Sequence, residues 1–299
     1  MNQVVFCLLF FFATSTHVLS QVITIDEKSP KAINITDQLE YFIDKDRVLE
    51  LEELSQFAEL DGHFMDFGFT RARIWLRFEV QNLTGNKLVL TFNNRLTDRV
   101  ELIVDPNRPQ AERSVSGGTI PYQKRPVSSP IPTFILKPNN HVQQVFVSIE
   151  STDEITGKLV LKQEQDYWKD EKRMSVAYGF YYGAMSLLLL VCWGLYLKTR
   201  DHWYLYVSPA IAFLMVWILS HSGNINDFVK INGPALFWNI SQLNFLLAHL
   251  LVLLIVSQKV FSIKARSPWL SRLLNGLSIL IFVIVMVTST HYHPQNALE

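Results

Sequence analysis

Trp75 and Arg77, two residues apart in RARIWLRFEVQN, are the pair in the first half of the chain best suited to chemistry. On a strand they project from one face, where an indole can stack on a sugar and a guanidinium can fork onto a carboxylate. That ligand-binding reading stands beside a packing one, in which a neighbouring segment covers Trp75 and an acid pairs Arg77. A second group, Asn239, Gln242, Asn244 and His249, lies in an otherwise apolar stretch. At helical spacing Asn239, Gln242 and His249 share a face and Asn244 points elsewhere. Such groups either form a ligand, proton or ion site or tie helices together by hydrogen bonds. Gly179 and Gly183 make a GxxxG step, which lets two helix backbones approach closely and pass a signal, within the chain or across a homodimer.

Enzyme signatures are missing. The sequence has no P-loop, glycine-rich phosphate turn, zinc pair on a helix or nucleophile elbow. His291 and His293 form an isolated His-x-His, too little for a metal site. The reading is therefore of a non-enzyme with no cofactor and no metal. Formal net charge is zero, and without a basic stripe nucleic acid is not an expected partner.

The elements that must carry these residues differ sharply between the two halves. Residues 1–20 read as a signal peptide: a short apolar run, Val4 to Ala13, then Val18-Leu19-Ser20 before Gln21. Residues 21–165 follow as an exported domain. Ile74, Leu76, Phe78 and Val80 alternate with Trp75, Arg77, Glu79 and Gln81, the period of a strand with one face on a core and one towards water. Further strands are expected at Lys87–Phe92, Arg99–Val104, Phe134–Lys137, Val142–Ile149 and Lys158–Gln163, with one helix at Leu51–Leu60. Pro106 to Pro132 reads as a long loop or irregular edge, and Asp98 as a turn cap. Phe64, Phe67 and Phe69 around Gly68 read as the edge of a core. The spacing argues an all-β sandwich or jelly roll. Cys7 would leave with the signal peptide and Cys192 sits in an apolar run, so this domain has no disulfide, as suits a bacterial periplasm. The sequons at Asn34, Asn82 and Asn239 then carry no weight.

Asp166–Met174 is a charged connector able to run helically into the membrane. Four apolar runs follow, at Ser175–Leu197, Trp203–Ser220, Ala235–Val256 and Leu273–Thr290, each near the roughly 20 residues a helical span needs. Pro209 is expected to kink the second. With the first half exported, Lys198–His202 and Ser257–Arg272 fall in the cytoplasm. The latter carries Lys259, Lys264, Arg266 and Arg272 and no acid, as the positive-inside rule requires.

The order of these parts, with FGFTRARIWLRFEVQN, then VAYGFYYGAMSLLLL and RDHWYLY, resembles the bacterial seven-transmembrane receptors with diverse intracellular signalling modules. The matching positions in the first half are Gly68, Trp75, Leu76, Arg77, Phe78, Asn82, Asp98 and Val100, with the segment from Phe134 to Pro138. In the second half they are Tyr178, Gly179, Tyr182, Gly183, Asp201, Tyr204 and Tyr206. The resemblance implies a type 2 extracellular sensor, a jelly roll for a carbohydrate-like small molecule, above spans that drive a cyclase or kinase. Four spans are legible where the family has seven, so the output is expected beyond Glu299 or in a cytoplasmic signalling partner. The reading is of an inner-membrane sensor. The alternative is a membrane-anchored binding module serving a transport or envelope complex; a transporter is disfavoured by the lack of intramembrane acids.

Overall fold

The structure is a computed structural model, which describes residues 22–108, 111–139, 141–222 and 236–290, with their side chains except at 236–242 and 288–290. The segment expected to be a signal peptide, the connector between the second and third apolar runs and the His291/His293 pair lie outside the described residues.

The longest strand, β6 (Arg73–Asn82), organises the first half. Ile74, Leu76, Phe78 and Val80 are fully buried on its inner face, as the alternation requires. It pairs antiparallel with β3 (Glu40–Asp44) on one side and β11 (Gln143–Glu150) on the other, and β1 (Ile23–Ile25) adds to its end in parallel. Outward from β11 lie β8 (Arg99–Val104) and β9 (Glu112–Ser116), and β4 (Ala58–Glu59) flanks β3. A second sheet runs β10 (Thr133–Leu136), β7 (Leu88–Phe92), β13 (Leu159–Gln163), β2 (Ala32–Asn34). Between the sheets lies one core, centred on Phe78, Phe92 and Phe134, so the domain is a β-sandwich. β5 (Met65–Phe69) and β12 (Glu154–Gly157) pair at one end of it.

One local expectation changes. Leu51–Leu60 is not a helix: it is a 3-10 turn at Leu51–Glu53 with a capping box from Glu50, then an extended segment ending in β4. Leu51, Leu54 and Phe57 have helical spacing, but they fold down onto Trp75, Ile103 and Phe146 on the outer face of the larger sheet. Tertiary burial overrides a short, weak helical pattern. The stretch from Pro106 to Pro132 takes the irregular-edge alternative, supplying the edge strand β9 and a 3-10 turn at Tyr122–Lys124.

Helix α1 (Glu164–Thr199) begins one residue after β13 and continues unbroken through the charged connector into the first apolar run. α2 (Trp203–His221, containing Pro209), α3 (Leu236–Val260) and α4 (Pro268–Thr290) follow, each packed on its predecessor. All four are long and apolar enough to cross a bilayer. Large side chains such as Phe180, Leu190 and Trp193 face outward, as lipid contact requires.

Candidate functional site

The two sheets do not close at their β9 and β10 edges, and a cavity of about 470 Å³ opens between them. That is within the range of small-molecule sites. In register, Glu112 lies opposite Val104 and Ser114 opposite Leu102, so all four share the inner face. Leu102 and Val104 form an apolar floor; Ile135 and Leu136 of β10 form the far wall. Lys137, just past β10, ion-pairs Glu112 at the start of β9 and so bridges the two sheets across the mouth.

Beside that bridge is a polar network. Asp105 adopts a left-handed turn (φ 49°) at the cleft. Its Oδ2 lies 2.9 Å from His141 Nε2, and its Oδ1 accepts the Gln144 amide at 2.9 Å. Arg108 Nη1 lies 3.2 Å from His141 Nδ1. A guanidinium only donates, so Nδ1 accepts and Nε2 carries the proton it gives to Asp105. Asn139 Nδ2 also lies 2.8 Å from that Nε2, while Asn139 Oδ1 accepts the His141 backbone amide at 3.4 Å. The cleft thus combines donors (Arg108, Lys137) with acceptors (Asp105, Glu112, Ser114) above an apolar floor, an arrangement suited to binding a small polar molecule. Among the described residues no group of three or more metal-ligating side chains occurs.

This cleft lies at the end of the sandwich where α1 begins. Leu136 pairs with Leu88, Leu88 pairs with Gln163, and the Glu164 amide donates to the Lys87 carbonyl at 3.0 Å. From there α1 turns back along the outer face of the smaller sheet. Tyr167 is buried against Val89, Val127 and Ile135, beside Ser129 and Thr133, and Lys162 pairs with Asp170 at 2.7 Å. Pro126 lines the cleft while the adjacent Val127 touches Tyr167. Arg125 fixes this segment: its Nε donates to the Ile120 carbonyl at 3.1 Å and its Nη1 to the Ser129 carbonyl at 2.8 Å. Burial pulls the Arg125 guanidinium down to about 10, still charged at neutral pH.

Trp75 and Arg77 are elsewhere, and the structure engages both within the domain. Trp75 is 4 % exposed beneath the Leu51–Phe57 segment. Arg77 Nε donates to Glu40 at 2.6 Å, and its guanidinium lies 4.3 Å above the Phe57 ring. Asp98 does not cap its own turn; its Oδ2 accepts the Thr152 amide at 2.6 Å and hydroxyl at 2.8 Å, joining two loops. Phe67 packs against the core, whereas Phe64 and Phe69 stay exposed. In the membrane half, among the described residues no atom comes within 4 Å of a Cβ added at Gly179 or Gly183, so none of the described helices packs closely there. His249 Nδ1 lies 2.9 Å from the Ala210 carbonyl and ties α3 to α2. Asn244 also has an interaction partner. The side chains of Asn239 and Gln242 lie outside the described ones.

Comparison with protein families settles the architecture. Residues 36–163 match the family model described as 7TMR-DISM extracellular 2, and residues 175–298 match 7TM diverse intracellular signalling. The chain belongs to the 7TMR-DISM family. It is a multi-pass membrane sensor and signalling receptor with an extracellular domain, and the matched models describe sensing rather than catalysis. No curated protein matches the chain. In this receptor the sequence pointed to a strand face, Trp75 and Arg77, whereas the open cleft is built from β9, β10 and the turns around Asp105 and His141. The only sequence signal for that cleft was the polar, turn-rich composition of residues 105–114 and 137–143.

Proposed function

We propose that this chain is a bacterial inner-membrane receptor whose periplasmic sandwich binds a small polar ligand, carbohydrate-like in its hydroxyl chemistry, in the β9–β10 cleft. The carrying observation is the juxtaposition of that cleft with the start of α1. Pro126 and Ile135 line the cleft, while Val127 and Ile135 hold Tyr167, so a ligand that moves this wall moves the helix that enters the membrane. Binding shifts the receptor only as far as it favours one seating of Tyr167 over another. An export signal at residues 1–20, the basic Ser257–Arg272 connector and the disulfide-free domain support a periplasmic N-terminus, and the output lies in a cytoplasmic module.

The test is a thermal-shift screen of neutral sugars and sugar acids against the full chain in nanodiscs, repeated with Lys137→Ala and Asp105→Asn. A compound that stabilises wild type and loses affinity at least tenfold in either variant supports the cleft. Undiminished binding in both variants overturns it. Inserting Gly-Gly-Ser after Arg173 in a signalling-competent receptor should leave binding intact and abolish the response, because it breaks the helix between sensor and span.

A further inference from the structure

The opposite end of the sandwich carries exposed apolar side chains where a soluble domain would place polar ones: Phe69 is 80 % exposed, Phe64 51 % and Leu96 42 %. All three line one shallow cavity with Arg95. The tip is held together by the Asn94 amide, which donates to the carbonyls of Glu154 at 3.0 Å and Thr156 at 2.9 Å, while Glu154 pairs with Phe69.

Geometry fixes the height of this tip above the bilayer. From Lys87, at the start of α1, the chain climbs β7 to Arg95, roughly 26 Å at about 3.3 Å per residue. α1 runs beside it, and its rise of 1.5 Å per residue carries it about 21 Å from Glu164 to Tyr178. The two routes end together, since Arg95 lies near both Glu171 and Tyr178. Tyr178, Tyr181 and Tyr182 stand at the outer end of the first span, where aromatic side chains sit among headgroups. The Phe64–Phe69–Leu96 tip therefore lies at headgroup level.

We propose that this tip inserts into the outer leaflet of the receptor's own membrane, so the sensor rests on the lipid surface as well as on α1. Asp153 and Glu154 line the same cavity and offset Arg95, so the contact is apolar and not a search for anionic lipid. Exposed apolar groups of this kind mark an interaction surface, and the bilayer is the surface the helix geometry brings to them.

The test uses the full chain with Cys7 and Cys192 replaced by Ser. Phe69→Cys, Leu96→Cys and, as a control at the distal end, Leu83→Cys are nitroxide-labelled in nanodiscs of neutral and of partly anionic lipid. Insertion gives oxygen collision rates that exceed those of a water-soluble nickel reagent at 69 and 96 but not at 83, with little change on adding anionic lipid. Aqueous values at 69 and 96 overturn the proposal. So does exclusion of both reagents, which would show a protein partner on the tip.

Discussion

Replacing Trp75 tests whether the outer face of the larger sheet is packing or an open ligand platform. Trp75 is buried beneath Leu51, Leu54 and Phe57 and beside Phe146, and its Nε1 has no acceptor among the described residues. Trp75→Ala therefore loses a full aromatic side chain and opens a cavity, at a cost of about 3–5 kcal/mol. For a domain of this size that lowers Tm by on the order of 10 °C. Trp75→Phe is the sharper probe. It removes a net two ring carbons, worth about 1–2 kcal/mol at ~0.8 per buried methylene. It also removes a buried N–H with no acceptor, whose burial costs about 1–3 kcal/mol. The two effects offset, so Trp75→Phe should melt within a few degrees of wild type. The assay is a thermal melt followed by near-UV circular dichroism on a fragment ending at Met174, which retains Tyr167. A Trp75→Ala variant that melts with wild type would refute burial of this face. If Trp75→Phe proved as damaging as Trp75→Ala, the indole N–H would have an acceptor.

Arg77→Met should cost about 3–5 kcal/mol in the same melt, because it strands the nearly buried Glu40 carboxylate, and Glu40→Gln in that background should recover much of the loss. Gly117 has φ +127°, and a Cβ there would meet the Asp98 carbonyl oxygen at 2.5 Å, so Gly117→Ala should destabilise the domain by more than the roughly 1–3 kcal/mol of backbone strain alone. Burial, with the neighbouring Asp98 charge, pushes the Asp153 carboxyl upward. A raised carboxylate means the folded state holds its proton more tightly, so stability falls as pH rises from the ordinary carboxylate value through the raised one. Asp153→Asn should accordingly raise Tm at neutral pH, with the gain vanishing in acid below the ordinary carboxylate value; a gain independent of pH would contradict this. His249→Ala should loosen α2 from α3, seen as faster amide exchange around Ala210, whereas unchanged exchange would remove the His249 contact from the list of helix ties.

Periodicity made the core of the sandwich legible. Four alternating apolar residues on β6 and the apolar runs of β7 and β11 are local patterns, and each lies on the buried face they imply. The cleft was not legible, because its walls come from β9 and β10, strands of different sheets separated by the Tyr122–Lys124 turn. No local pattern records that Glu112 and Lys137 face each other across a gap. The strand β9 itself, Glu-Arg-Ser-Val-Ser, is polar, as suits an edge strand beside an open cleft. Trp75 and Arg77 follow the packing alternative the sequence offered, covered by the Leu51–Phe57 segment and paired with Glu40. What the sequence did not show was that this cover is an extended lid, since its local pattern argued for a helix.

The direction of α1 gives these parts their sense. Had the helix left the sandwich at the end where β13 begins, it would have entered the membrane directly and touched only loops. Instead β13 delivers the chain to the distal end, beside the cleft, and α1 returns along the smaller sheet before reaching the bilayer. Its first turns therefore pass Val89, Val127 and Ile135 on the way. The helix hydrogen bonds run uninterrupted through Asp166–Met174, so a shift at Tyr167 has no hinge in which to dissipate before Tyr178. The ligand cleft can thus sit far from the membrane and still act on the first span. Proline at Glu171, one turn beyond Tyr167 and outside the span, would introduce such a hinge. The receptor should then bind in the cleft with unchanged affinity and fail to respond, and an intact response in that variant would show that the signal travels by another route.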